Sequence, residues 1–306
     1  MAAHNIPQVD VMEAEMLGRY HQMHDDLSAD RMHMPPAKLD RLISAYNRDV
    51  KEYSSAVVQQ TAARLHALGG FAGLFGASPD HPPPPSKPMG PQLAPCIEPT
   101  PKPPSSDVRH GAERHAHAIT ALLSVKEASA LGRIIEAVGY RAVVPEINQN
   151  LSQTLTRTHK LCLLHDPDLA AWLWQRLQQC TPLVIPPDMQ DRECRWVPVG
   201  INPCIKFNQY EEGQVFGPHT DAVFESRTAH ERTFITVLVY LNAGFEGGHT
   251  NFLRSRNGPV VVTVAPVCGS AMVFQHDMLH EATEPIGQPN KMVMQADILF
   301  RRAKRT

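Results

Sequence analysis

The sequence predicts an α+β protein whose helices and strands occupy different parts of the chain. Three observations predict it. Apolar residues recur at near-heptad spacing between Leu39 and Val57, a proline-rich break follows, and from Val197 onward short β-rich runs alternate with Gly, Pro and Asn. A helical period separated from many short strands indicates helices set beside a sandwich or barrel.

The first region, residues 1–78, is helical in character from Val9 to about Leu74. Leu39, Tyr46 and Tyr53 repeat every seven residues, as do Ile43, Val50 and Val57, which lays an apolar stripe along one helix face. Such a stripe needs a partner: either the segment from Val9 to Leu27, giving a helical hairpin, or a second copy of the chain, giving a homodimer through a coiled coil. His21, His24 and His33 have no carboxylates arranged with them and read as solvated positions. Residues 79–106 hold the break: 12 of the 27 prolines fall between Pro79 and Pro104, including Pro82 to Pro85. Proline supplies no amide hydrogen and fixes φ, so this stretch is expected as an extended linker.

Residues 107–306 form the third region. Ser124-Val125-Lys126-Glu127 has the spacing of a capping box, followed by the apolar face Leu131, Ile134, Ile135 and Val138. A second helix is expected from Asp166 or Asp168, with Pro167 in its first turn, through Leu169, Trp172, Leu173 and Leu177; Trp172 and Trp174 read as packing residues. The strand runs are Cys204 to Tyr210, Phe234 to Leu241, Val260 to Val264, Ser270 to Phe274 and Met292 to Phe300.

Composition narrows the function classes. A formal charge of −2 and a pI near 6.8 leave no basic field for nucleic acid. The six cysteines form no Cys-x-x-Cys pair, so neither a structural zinc site nor a redox dithiol is expected. No apolar run is long enough to span a bilayer and no secretory signal is evident, so a cytoplasmic protein is the default, with the nucleus not excluded.

The chemistry converges on His219-Thr220-Asp221. An imidazole and a carboxylate two residues apart on a strand face the same way. His280 follows in Leu279-His280-Glu281, and Lys291 comes eleven residues later. Two histidines and one carboxylate suit a non-haem Fe(II) oxygenase, and also a zinc hydrolase.

Further pieces stand around these residues: Asn202-Pro203-Cys204-Ile205-Lys206-Phe207, Tyr210-Glu211-Glu212-Gly213-Gln214, Val239-Tyr240-Leu241-Asn242, Gly247-Gly248-His249-Thr250-Asn251-Phe252 and Gly269-Ser270-Ala271-Met272-Val273-Phe274. In this order and spacing, residues 200–302 resemble the catalytic core of the Fe(II)/2-oxoglutarate-dependent dioxygenases, prolyl 4-hydroxylase-like branch, with weaker similarity through Asn148 and Asn150. The resemblance implies a double-stranded β-helix, or jelly roll, with supporting helices. It implies His219, Asp221 and His280 as the Fe(II) ligands, and Lys291, with the hydroxyl of Tyr240, as partners of the distal carboxylate of 2-oxoglutarate. Lys rather than Arg at that place points to the prolyl 4-hydroxylase side. Tyr210 lines the pocket or packs in the core; the sequence allows both. His276 competes with His280 for the third place, and His249 reads as peripheral. Glu225, Arg227, His230, Glu231 and Arg232 form a charged loop after the carboxylate. The implied co-substrates are 2-oxoglutarate and O2, with L-ascorbate as reductant. The implied substrate is peptidyl proline, or else a small molecule or free amino acid. A non-catalytic interaction protein with a degenerate jelly roll is the rival, and it is disfavoured because the three ligands and the lysine are all in place.

Overall fold

The N-terminal stripe finds its partner within the chain. In the computed structural model, which describes residues 6–30, 35–71, 116–144, 157–180, 194–226 and 230–304, helix α1 spans Ile6–Asp30 and α2 spans Pro36–Ala67. The proline-rich stretch 79–106, with Asn148 and Asn150, lies outside the described residues. Tyr46, Val50, Tyr53 and Val57 of α2 are buried with Val9, Met16 and Tyr20 of α1, while Leu39 and Ile43 are partly buried against them. Val144 and Leu163 pack on the same cluster, so the stripe is covered partly by α1 and partly by the rest of the protein.

A charged clasp reinforces that docking. The Arg141 guanidinium reaches Asp10 at 2.7 Å and Glu13 at 2.8 Å and donates to Gln60 at 2.5 Å. Tyr53 donates to the same Glu13 carboxylate at 3.1 Å, and Arg64 donates to the Val138 carbonyl at 3.0 Å. The Arg141 side chain is only 12% exposed, so its bonds are poorly replaced by water. Arg141→Ala is expected to cost about 1–3 kcal/mol, because Glu13 and Gln60 lose a buried donor together. Denaturant unfolding checks this; an unchanged midpoint would mean that the apolar stripe alone holds the helices.

Helix α3, Val125–Val138, begins as the capping box requires: the Ser124 hydroxyl accepts from the Glu127 amide, and the Glu127 carboxylate accepts from the Ser124 amide. Leu131 and Ile135 on its inner face are fully buried, each worth about 1.5–3 kcal/mol. Helix α4, Pro167–Cys180, is capped by Asp166, whose carboxylate accepts from the Leu169 amide at 2.8 Å. Trp172 and Trp174 pack against the core, as expected.

The strands are β1 (Ala116–Ile119), β2 (Arg141–Ala142), β3 (Lys160–His165), β4 (Cys194–Ile201), β5 (Cys204–Tyr210), β6 (Phe216–His219), β7 (Glu225–Ser226), β8 (Glu231–Tyr240), β9 (Glu246–Gly247), β10 (Thr250–Leu253), β11 (Val260–Val264), β12 (Ala271–Gln275), β13 (His280–Ala282), β14 (Pro285–Ile286) and β15 (Lys291–Lys304). A nine-stranded sheet runs β1-β12-β8-β15-β5-β3-β2, with β4 on β15 and β7 on β8; a four-stranded sheet runs β11-β10-β13-β6; β9 and β14 pair separately. Every pairing is antiparallel. Arg232, read from the sequence as part of a charged loop, lies inside β8.

Strand alternation divides the large sheet into two faces. On one face Met292, Met294, Ala296 and Ile298 of β15 join Val237 and Val239 of β8 and the residues of α3 and α4 in the main core. On the other, Val293, Tyr240, Met272 and Phe274 meet Phe252, Val262 and Val264 of the small sheet. The second face also carries Lys291, Gln295 and Asp297, three polar side chains buried where apolar ones would pack better. Among the described residues no helix is long and apolar enough to cross a membrane.

Candidate metal centre

His219 closes β6 and His280 opens β13, and the two are cross-strand partners with ring centroids 4.1 Å apart. Asp221 reaches them differently from the sequence expectation. Strand β6 ends at His219, so the carboxylate arrives from the turn beyond, pinned by the Asp221 amide donating to the His276 carbonyl at 2.9 Å. It lies 3.9 Å from each imidazole Nε2. One donor atom from each of the three residues lies within 4.8 Å of the others, and among the described residues this is the sole such group.

Each donor is held in a ligating form. The Nδ1 atoms of His219 and His280 lie 2.9 and 3.0 Å from the carbonyls of Gly217 and Met278. A carbonyl only accepts, so both Nδ1 atoms carry a proton and both Nε2 atoms face Asp221. Burial and the neighbouring His280 hold the His219 pKa well below its ordinary value, keeping it neutral. Burial alone would raise the Asp221 carboxyl, but His280, His219 and the Thr236 hydrogen bond hold it far below the usual carboxylate range. Thr236 of β8 donates to Oδ2 at 2.5 Å and Gln295 of β15 to Oδ1 at 3.1 Å. Two imidazoles anchored through Nδ1 and one oriented carboxylate fit a divalent transition metal.

The rings are braced by aromatic contacts. Phe216 stacks on His219 at 3.4 Å between centroids, and Phe274 meets His280 edge-on at 4.8 Å. Arg157 lies over the other side of Phe216, 4.0 Å from its centroid.

Four residues before Gln295 on the same strand, about 13 Å along it, stands Lys291. It is 1% exposed, its Nζ lies 4.8 Å from the Tyr210 ring, and among the described residues no carboxylate pairs with it. Burial pulls its pKa down to about 7. Tyr240 is also buried, its hydroxyl donating to Thr250 at 2.8 Å, and burial pushes its pKa up to about 12. Tyr210 faces Lys291 across the β5–β15 pair and stacks on His159 at 4.7 Å; it is both a core residue and a wall of the lysine's cage.

Gly248 explains part of that cage. At φ +63° it occupies a conformation that side chains disfavour, and a Cβ there would lie 2.7 Å from the Phe245 ring and 3.2 Å from Lys291 Cδ. Gly248→Ala is expected to push Lys291 from its place and cost about 1–3 kcal/mol of stability. Thermal unfolding and metal titration check it: unfolding should come earlier while metal affinity stays near that of the parent protein.

His276 and His249 do not join the cluster. His276 is buried beside Asp297, and His249 engages Thr283 through its backbone. Sequence reasoning missed Thr236, Gln295, Phe216 and His159. The available signal was strand alternation, since Gln295 is four residues from Lys291 and Thr236 four from Tyr240, hence on the same faces.

Residues 205–296 match the profile of the 2OG-Fe(II) oxygenase superfamily. No curated protein matches the chain. Among solved structures it is similar to the viral collagen prolyl hydroxylase of Paramecium Bursaria Chlorella virus-1, at 15% identity over 61% of this chain and 96% of that one, TM-score 0.39. A Pseudomonas putida prolyl-4-hydroxylase is similar at 17% identity over 63% and 94%, TM-score 0.40. A Trichoplax adhaerens prolyl hydroxylase, solved with a hypoxia inducible factor peptide fragment, is similar at 13% over 60% and 82%, TM-score 0.42.

Proposed function

We propose that this chain, a member of the 2OG-Fe(II) oxygenase superfamily through residues 205–296, hydroxylates an unactivated C–H bond using O2 and 2-oxoglutarate and releases succinate and CO2. One observation carries the reading: a buried ammonium without a carboxylate stands on the same strand face as the group that orients the His219, Asp221 and His280 cluster. An unpaired buried charge is costly, so the fold maintains Lys291 for an anionic ligand. A dicarboxylate held at the metal by one end and at Lys291 by the other satisfies both.

Fe(II), when bound, supplies the activation of O2. The chain's own residues do the rest. His219, Asp221 and His280 would hold the metal. Thr236 and Gln295 keep the Asp221 carboxylate from rotating. Lys291 binds the distal carboxylate, and Tyr240 joins it by turning its hydroxyl proton from Thr250, while Phe216, Phe274 and Phe252 exclude water from the donors. The two facing sheets support reading residues 107–306 as a double-stranded β-helix with its motif core at 200–302, preceded by the helical region 1–78 and the linker 79–106. L-ascorbate is the proposed reductant.

The lysine gives the reading a pH signature. Its ammonium form is the one that pairs with 2-oxoglutarate, and burial places its pKa at about 7 in the free protein. Affinity for 2-oxoglutarate is therefore expected to be flat below pH 7 and to fall by up to about tenfold per pH unit above it. Anaerobic titrations at several pH values check this; a flat profile from pH 6 to 9 removes Lys291 from the binding step. Turnover itself is tested by Fe(II)-dependent succinate formation, with peptidyl proline the first substrate class to assay and a free amino acid or other small molecule the second.

A further inference from the structure

Beyond the metal, on the side away from Lys291, the same strand face carries a second buried polar group. Asp297 follows Gln295 by two residues on β15 and stands opposite Thr236 on β8, so it flanks the two side chains that bind Asp221. His276 lies just past β12. Its amide donates to the Phe234 carbonyl, its carbonyl accepts from Asp221, and its Nε2 is 3.4 Å from Asp297 Oδ1.

Among the described residues, neither ring nitrogen of His276 nor Oδ1 of Asp297 has a hydrogen-bond partner. Lys206, opposite Gln295 on β5, directs its charge at Asp221, and among the described residues it forms no ion pair with Asp297. Three buried polar atoms without a hydrogen bond at one spot, two of them facing each other at 3.4 Å, are costly, and their retention needs a reason. The spot is no more sealed than the metal centre: the Asp297 side chain is 8% exposed, that of Asp221 7%. Val223 and Phe224, which follow Asp221, are exposed apolar residues on the adjoining turn.

Resting on the oxygenase reading, we propose that Asp297, with His276, is a specificity subsite that recognises a protonated amine on the substrate, so that the substrate is an amine or free amino acid. Asp297 offers a carboxylate to the cationic nitrogen, and the His276 ring beside it offers a further polar contact. An internal prolyl residue has no hydrogen and no charge on its nitrogen and would leave Asp297 buried and unpaired. The subsite therefore selects against peptidyl proline.

The test is calorimetric titration of the anaerobic Fe(II)- and 2-oxoglutarate-loaded protein with L-proline, L-lysine, L-arginine and putrescine, against an N-acetylated, C-amidated prolyl peptide. At least one amine should bind and the peptide should not. Asp297→Asn should weaken that amine at least tenfold, with Asp297→Glu recovering part of the loss. Because a carboxylate kept for a ligand destabilises the protein without it, Asp297→Asn should also raise the unfolding midpoint of the substrate-free protein, whereas a structural aspartate would give a fall. Binding of the peptide alone, no binding by any amine, or an unchanged amine affinity in Asp297→Asn overturns the proposal, as does a lowered midpoint. Failure of 2-oxoglutarate to bind the Fe(II)-loaded parent protein would instead overturn the oxygenase reading, which separates the two.

Discussion

Replacing Lys291 with alanine is expected to lower affinity for 2-oxoglutarate by roughly a hundredfold or more while leaving Fe(II) affinity nearly unchanged. Losing one partner of a buried charge pair typically costs ~3–5 kcal/mol, which converts to that factor or more. The separation of effects follows from position, since Lys291 touches none of the three metal donors and stands at the opposite end of a four-residue strand interval from Gln295. The free variant should also be more stable than its parent, because it no longer buries an ammonium without a carboxylate. Titrating 2-oxoglutarate into the Fe(II)-loaded variant decides the matter. Unchanged affinity would transfer the carboxylate's partner to another cation: Arg301 is paired with Glu231 at the surface and Arg232 lies over the Phe234 ring, which leaves Arg157, over Phe216 beside His219, as the better placed.

His219→Ala should behave in the opposite way and abolish metal binding and turnover together. The imidazole is one of three donors, its tautomer is fixed by Gly217, and its ring fills the space between Phe216 and His280. Alanine leaves a two-donor site and a gap against Phe216. Metal content after anaerobic loading should drop below detection, and 2-oxoglutarate binding should weaken as well because its chelating end loses the metal. Retained stoichiometric Fe(II) in this variant would show that another residue completes the site.

Much of the centre was legible in the sequence, and the reasons differ by residue. The capping box at Ser124 and the Asp166 cap are local devices, and both form as read. Strands β5 and β11 match their expected limits, and a proline marks the start of each. His219 and Asp221 were found, but the physical argument for them was incomplete: a shared strand face was invoked, whereas a backbone bond to His276 delivers the carboxylate beyond the strand. Short strands such as β6, β10 and β13 carry too few residues for a period to register, and pairing across sheets, which no local pattern encodes, creates them. The same limit hid Thr236 and Gln295, ordinary strand residues until register sets them against Asp221. The heptad stripe of α2 called for a partner, either the segment from Val9 to Leu27 or a second copy of the chain, and in the structure α1 covers it together with Val144 and Leu163.

The central claim is that one chain holds Fe(II) through His219, Asp221 and His280 and 2-oxoglutarate through Lys291. Anaerobic absorption spectroscopy tests it most directly: Fe(II) is added to metal-free protein, then 2-oxoglutarate, and the visible charge-transfer band of a chelated Fe(II)/2-oxoglutarate pair is followed. The account predicts a saturable band at one equivalent of each in the parent protein, absent in His219→Ala and displaced to much higher 2-oxoglutarate concentration in Lys291→Ala. No band in the parent protein, or tight binding of zinc with no response to 2-oxoglutarate, would contradict it.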